Sequence, residues 1–336
     1  MIRAAIVGLG RWGRNLVTSV QGKSDKIGFV AGTAATPEKS RDFAAQHRLK
    51  LYPDYGQILA APDIDAVVLA TPHTQHAELI PAAAQARKHV FTEKPFTLTR
   101  GSAEAAVRAC ANARVTLAVG YNWRFQPALR EIKAMLQDGR LGKLLHMEGN
   151  FCGPSAYRFG GEHWRQNRAE GPAGGMTGRG VHLVDAMLYL TGPVETVHAQ
   201  SSRRAQDFGL DDTTSMLLGF KSGVSGYIGT VIATAETWRL QVFGSEGWAE
   251  VGDVEHLTTW QLRLCTIDRS NLHHHKTPEI VTFPPTSTER AELEHFADAI
   301  VAKRPLAAAG GEDVHAVAVF EAIIKSAQTG TTIRVD

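Results

Sequence analysis

Ala4-Ala5-Ile6-Val7-Gly8-Leu9-Gly10-Arg11-Trp12-Gly13 begins as a short apolar run, passes directly into three spaced glycines, and continues with helical spacing from Arg14 to Val20. Strand, G-x-G-x-x-G turn and helix in that order predict a βαβ unit that binds a dinucleotide. Gly8 allows the tight turn, Gly10 lets the backbone approach a pyrophosphate, and Gly13 permits close helix packing. The phosphates are then met by the unsatisfied amides of the helix N-terminus. Arg11 and Trp12, inside the turn, join the expected contacts.

Outward from this stretch the pattern repeats. Apolar runs at Ile27 to Ala31, Ala66 to Ala70, His89 to Thr92 and Thr116 to Val119 alternate with helix-like stretches at Pro37 to His47, His76 to Ala86 and Ser102 to Cys110. This alternation predicts a parallel sheet up to about residue 122. From Leu144 strand-like runs follow one another: Leu144 to Phe151, Glu195 to Ser201, Thr214 to Phe220, Ser225 to Ala233, Arg239 to Gly244 and Thr258 to Thr266. Such succession predicts a mainly antiparallel sheet, interrupted by one helix at Val181 to Tyr189. Helical stretches at Glu289 to Ala302 and Gly311 to Ala327 and a strand at Thr332 to Val335 close the chain. The expectation is an α/β protein with a dinucleotide-binding domain over 1–122 and a second domain over 123–336, whose final helical segment can pack back on the first. Pro284-Pro285 reads as a short turn or linker, not a domain boundary.

The end of the second strand reports on the dinucleotide, because a carboxylate there binds the ribose hydroxyls of NAD and repels a 2′-phosphate. Twenty residues beyond Gly13 stands Thr33, in Gly32-Thr33-Ala34-Ala35-Thr36, without a carboxylate. Arg11, Lys39 and Arg41 are nearby cations, so NADP is favoured and NAD stays open.

Composition excludes several classes. The 336 residues are 43% hydrophobic and 21% charged, which suits a globular chain rather than a disordered one. With 36 Lys plus Arg against 34 Asp plus Glu and a net charge of +2, scattered along the chain, nucleic acid is not the expected partner. No apolar run is long enough to span a bilayer. The first strand begins almost at Met1, where a signal peptide would stand, so the expected location is cytoplasmic. Cys110, Cys152 and Cys265 form no CxxC pair and read as reduced thiols. His273-His274-His275 reads as a solvated loop, and no metal is expected.

The fourth strand ends in Thr92-Glu93-Lys94-Pro95, which puts a lysine at the carboxyl edge where open α/β sheets bind ligands. Further on, Gly174-Gly175-Met176-Thr177-Gly178-Arg179-Gly180-Val181-His182-Leu183-Val184-Asp185 is a glycine-rich lead into a helix bearing His182. With Thr71-Pro72 followed by His76, and with Gly120-Tyr121-Asn122 and Arg124, these motifs make the chain resemble the glucose-fructose oxidoreductase, inositol dehydrogenase and rhizopine catabolism family, written Gfo/Idh/MocA. The resemblance covers nearly the whole chain.

It implies a Rossmann domain over 1–122, a substrate-binding and oligomerisation domain with a large open antiparallel sheet over 123–336, and an NAD(P)-dependent oxidoreductase that interconverts a secondary hydroxyl and a ketone on a sugar, polyol or related cyclic hydroxylated compound, with the nicotinamide between the domains near Lys94. It also implies Lys94 and His182 as catalytic groups and adds Thr71, Pro72, His76, Glu93 and Lys94 to the cofactor set of Gly8, Gly10, Arg11, Trp12, Gly13 and Thr33. The expected substrate set is Lys94, Asn122, Arg124, Trp164, Arg165, Arg179 and His182. One departure stands out: many members carry an aspartate four residues before the histidine, and here that place is Gly178. Asp185 shares a helix face with His182 and either orients the ring or is a surface acid. Two other readings follow from the same fold, an NAD-dependent glycosidase and a non-catalytic dinucleotide or sugar sensor. The open sheet predicts a homodimer or homotetramer.

Overall fold

Continuous apolar runs in a parallel sheet are buried on both faces, and the first strands show it: Ala4 to Val7 and all of Ala66–Leu69 are buried. The computed structural model describes residues 1–273, 275–304 and 311–335. They divide into two compact units, 1–122 with 287–317 and 123–286 with 318–335.

Among the described residues of the first unit, β1 (Ile2–Val7), β2 (Ile27–Thr33), β3 (Lys50–Leu51), β4 (Ala66–Leu69), β5 (His89–Glu93) and β6 (Leu117–Gly120) form one sheet in the order 3-2-1-4-5-6. All its neighbours are parallel. Ala4 and Ile6 face one side, where α1 (Arg11–Val20) contributes Leu16, Val17 and Val20. Ala5 and Val7 face the other, covered by α3 (Tyr55–Ala60), α4 (His76–Gln85) and α5 (Arg100–Ala113). The short α2 (Arg41–Gln46) follows β2.

The expected division at 122/123 let only the final helical segment pack back on the first domain. In the structure α9 (Thr288–Val301) belongs to the first unit, because its apolar stripe of Leu293, Phe296 and Ala297 completes the core beside α1. Phe296 meets Phe91 edge-on, with ring centroids 5.8 Å apart. Pro284-Pro285, expected as a turn or linker and not a boundary, directly precedes the chain's return to the first unit. Proline cannot donate to a strand ladder, which suits a chain leaving a sheet. The following α10 (Glu312–Thr329) begins in the first unit and ends in the second.

The second unit has a sheet of nine strands among the described residues: β7 (Leu144–Cys152), β8 (Val194–Ser202), β9 (Thr213–Phe220), β10 (Ser225–Val231), β11 (Thr237–Gly244), β12 (Gly247–Asp253), β13 (Gln261–Thr266), β14 (Glu279–Thr282) and β15 (Ile333–Arg334). Every pair is antiparallel except β7 with β10. Burial alternates along β9, β10 and β11, as one-sided strands require. α6 (Pro127–Gln137) and α8 (Gly180–Thr191) lie in this unit, as does the short α7 (Ser155–Arg158). His273 and His275 are exposed, and His274 of the expected loop lies outside the described residues. No helix among the described residues is long and apolar enough to cross a membrane.

Candidate functional site

Each glycine of the opening turn has its own physical reason. Gly8 sits at φ +101°, in the region that favours glycine, and a Cβ there would lie 2.5 Å from the carbonyl oxygen of Ala70. A Cβ on Gly13 would lie 1.9 Å from the Gly8 oxygen, so α1 packs against the turn only through glycine. Gly10 faces open space and is the N-cap of α1, where no side chain caps the helix. The first amides of α1 therefore point outward, as a pyrophosphate requires.

A dinucleotide also needs polar groups along the carboxyl edge, and the structure supplies them, with the Trp12 indole N–H facing the Glu93 carboxyl. Trp12 Nε1, Thr71 Oγ1, Glu93 Oε1 and Asn122 Oδ1 are buried and have no hydrogen-bond partner at bonding distance among the described residues. These atoms end β5 or follow β1, β4 and β6, so they line the crevice end of the sheet. Buried polar atoms left unpaired in a folded chain cost stability unless a ligand meets them. The residues present thus fit a dinucleotide.

At the end of β2, Thr33 is buried and its carbonyl accepts the Gly8 amide at 2.9 Å. Arg11, Lys39 and Arg41 are exposed. Sequence reasoning missed Arg14. Its Nε donates to the Leu9 oxygen at 3.1 Å and its Nη2 to the Lys39 oxygen at 2.6 Å, tying the glycine turn to the segment after β2.

Lys94 is half-buried immediately after β5, beside the buried Glu93. Burial pushes the Glu93 carboxyl from its ordinary 4.5 up to about 7, against the pull of the adjacent Lys94 ammonium. In the folded chain Glu93 keeps a proton that the unfolded chain releases, so stability falls as pH rises from 4.5 to about 7. A penalty on the order of 3 kcal/mol is expected above that window. Urea unfolding of wild type and Glu93→Gln across it is the check: the variant should lose this slope, and parallel pH curves would refute the assignment.

His76, expected in the cofactor set, is engaged within the chain at Nδ1. Its ring is fully buried, and Nδ1 lies 3.0 Å from the Pro95 oxygen and 3.2 Å from the Phe96 oxygen. Two carbonyl acceptors require Nδ1 to carry the hydrogen, so His76 braces the segment that follows Lys94. Pro72 precedes a 3-10 turn at His73–Gln75 that leads into α4. Asn122, buried, donates Nδ2 to Thr288 Oγ1 at 3.0 Å, and Glu289 in the same α9 turn accepts from Asn15 at 2.7 Å.

In the second unit His182 occupies the first turn of α8 and is buried. Its ring stacks on Trp123 with centroids 5.1 Å apart and planes 23° apart, and Phe151 lies at 5.9 Å. Gly178, one turn earlier, has φ −91°, and a Cβ there would meet nothing within 4 Å. Asp185 is buried rather than a surface acid. Arg124 grips it through Nε at 3.0 Å from both carboxylate oxygens and through Nη2 at 2.6 Å from Oδ1. Arg124, expected to bind substrate, therefore spends this fork on a buried carboxylate. Arg179 is similarly engaged: Nη1 donates to the Cys152 oxygen at 2.7 Å, Nη2 pairs with Glu236 at 2.9 Å, and the guanidinium lies over Phe151. Trp164 is half-buried and Arg165, exposed, stacks over it at 4.2 Å.

Comparison with known proteins agrees with this architecture. Residues 2–121 match the profile of an oxidoreductase family with an NAD-binding Rossmann fold, and residues 129–250 match the GFO/IDH/MocA C-terminal domain. D-xylose 1-dehydrogenase (NADP(+)) 2 of Haloferax volcanii is 28% identical, covering 91% of this chain and 92% of that protein. Inositol 2-dehydrogenase of Rhizobium meliloti is 28% identical over 97% of this chain and 96% of its own. Among solved structures, aldose-aldose oxidoreductase from Caulobacter crescentus, complexed with glycerol, superposes with a TM-score of 0.87 at 27% identity, covering 99% of both chains. Glycine turn, six-stranded parallel sheet, carboxyl-edge lysine and open second sheet thus meet in one chain, which belongs to the Gfo/Idh/MocA family of NAD(P)-dependent oxidoreductases.

Proposed function

We propose that this oxidoreductase interconverts a secondary alcohol and a ketone on a sugar, polyol or related cyclic hydroxylated compound, with NADP(H) preferred over NAD(H). Lys94 carries the reading: it stands directly after β5, on the edge where buried polar atoms await a dinucleotide. The relatives named for xylose and inositol support the substrate class.

The bound dinucleotide would supply the hydride acceptor or donor. Its pyrophosphate would rest on the amides that begin α1, with Thr71, Glu93 and Asn122 along the same edge. In oxidation the substrate carbon loses a hydride and the hydroxyl must lose its proton. Lys94 Nζ, as the neutral amine, accepts that proton; in reduction the ammonium polarises the carbonyl and returns it. His182 is the second proposed acid-base group, and Trp164 and Arg165 are proposed substrate contacts. Arg124 and Arg179, paired as described, shape their surroundings. A wild type that binds dinucleotide yet changes reduced-nicotinamide absorbance with no member of a sugar and polyol panel would overturn this reading. The proposal includes a cytoplasmic homodimer or homotetramer, for which Leu217 and Tyr227, exposed neighbours on β9 and β10, speak; light scattering tests the oligomer.

The NADP preference rests on Thr33 and the absence of a carboxylate at the end of β2. Thr33→Asp should reverse it by setting a negative charge against the 2′-phosphate. Calorimetric titration of both dinucleotides gives the answer, and a wild type that prefers NAD by tenfold, about 1.4 kcal/mol, contradicts the assignment.

A further inference from the structure

His256 belongs to no sequence motif and lies in the connection between β12 and β13. In the second unit it closes an aromatic box. Its ring centroid is 4.9 Å from that of Phe151, 5.9 Å from Trp123 and 5.9 Å from His182. Trp123 Nε1 donates to His256 Nδ1 at 3.1 Å. An indole nitrogen only donates, so Nδ1 must offer its lone pair and the neutral ring carries its hydrogen on Nε2. That Nε2 lies 3.9 Å from Glu255 Oε1.

The connection holding His256 is anchored more heavily than a surface turn needs. Buried Thr259 donates to the Glu255 carbonyl at 2.7 Å and accepts the Trp238 indole N–H at 3.0 Å. Its own carbonyl accepts Gln126 Nε2 at 2.5 Å. Glu255 Oε1 accepts the Leu257 amide at 3.2 Å. Two buried indoles and a buried amide therefore fix this segment against the sheet. Rigid support of that kind gives a side chain a defined position.

We propose that His256 is a positioning residue for His182: by accepting the Trp123 indole N–H it sets the plane of the aromatic face on which the His182 imidazole stacks. Trp123 is held at its polar edge by His256, while its π face meets His182. Position 178, one turn before His182, contributes no side chain, so the aromatic neighbours gain weight in orienting the ring. An imidazolium is attracted to an indole face more strongly than a neutral imidazole is, so this support grows as His182 takes up a proton. The inference rests on the acid-base role of His182 proposed above.

Two variants of the full-length protein test it. His256→Leu removes the acceptor, and His256→Asn keeps an acceptor oxygen near the place of Nδ1. In ¹⁵N-labelled protein free of substrate, the Trp123 indole resonance is assigned by its loss in Trp123→Phe and the His182 ring resonances by their loss in His182→Ala. His256→Leu should shift both sets, and His256→Asn should return them toward wild type. In turnover, His256→Leu should lower kcat about tenfold with an unchanged KM for the dinucleotide, and His256→Asn should recover most of it. Unmoved His182 resonances in folded His256→Leu overturn the proposal, as does a wild-type kcat in that variant or an equal loss in both. If wild type turns over no sugar or polyol, the enzymatic reading fails by itself, and the resonances still decide whether His256 sets the His182 ring.

Discussion

Lys94→Met should lower turnover by about a hundredfold or more while dinucleotide affinity stays near the wild-type value. Methionine keeps the length and apolar stem of lysine and removes its charge and proton. The backbone has little reason to move, because His76 holds the Pro95 and Phe96 carbonyls and Phe96 and Thr97 are buried. Any loss then reports the head group. Lys94→Arg sharpens the result: arginine keeps the positive charge but does not release a proton at accessible pH, so a base role predicts a comparable loss. Steady-state kinetics with titration of the dinucleotide separates the terms. Full turnover in Lys94→Arg would reduce the lysine to an electrostatic anchor, and full turnover in Lys94→Met would remove it from the chemistry.

His182→Ala should cost about two to four powers of ten in turnover, the range for losing a positioned acid or base. The ring is buried against Trp123 and Phe151, so unfolding is measured alongside to keep a folding defect apart from a chemical one. A companion substitution tests the direction of the proton. Gly178 has an ordinary φ and open space beside it, so Gly178→Asp should fold normally. Its carboxylate would favour the imidazolium of His182 and raise that group's pKa. Oxidation needs the neutral imidazole, so the acid limb of the rate profile should move to higher pH, and wild type should retain activity at lower pH than the variant. Wild-type turnover in His182→Ala would show that the histidine is structural.

The parts of this protein legible in its sequence are those whose cause is local. The glycine turn after Val7 could be read because each constraint falls within a few residues of backbone, and Lys94 because β5 ends beside it. The helix of α9 was equally visible, but its destination was not. Leu293, Phe296 and Ala297 make a stripe that would suit any sheet, and only tertiary packing selects the one beside α1. Arg124 and Asp185 looked like a substrate contact and an undecided acid, because nothing in their spacing tells that they pair. His76 stood in a motif beside cofactor residues, and nothing in that motif told that its Nδ1 also braces the loop after Lys94. β12 escaped notice because its buried face is made of Gly247, Ala249 and Val251, small residues that give little alternating apolar signal. His256 had no neighbouring signal at all.

Chain order and core order do not coincide here, because the stretch 287–317 returns to a unit that began at residue 1. A ribosome delivers the glycine turn and every strand of the parallel sheet first, yet the helix that covers Phe91 leaves the exit tunnel only after the whole connection through the second unit has been made. During that interval the nascent sheet has one flank apolar and open, the kind of surface that chaperones bind and that aggregates when left uncovered. The dinucleotide-binding portion is thus begun before the second unit and completed only after most of it. For the same reason it cannot be lifted out as a contiguous cassette: a graft of 1–122 would carry the phosphate turn without the helix that seals its floor.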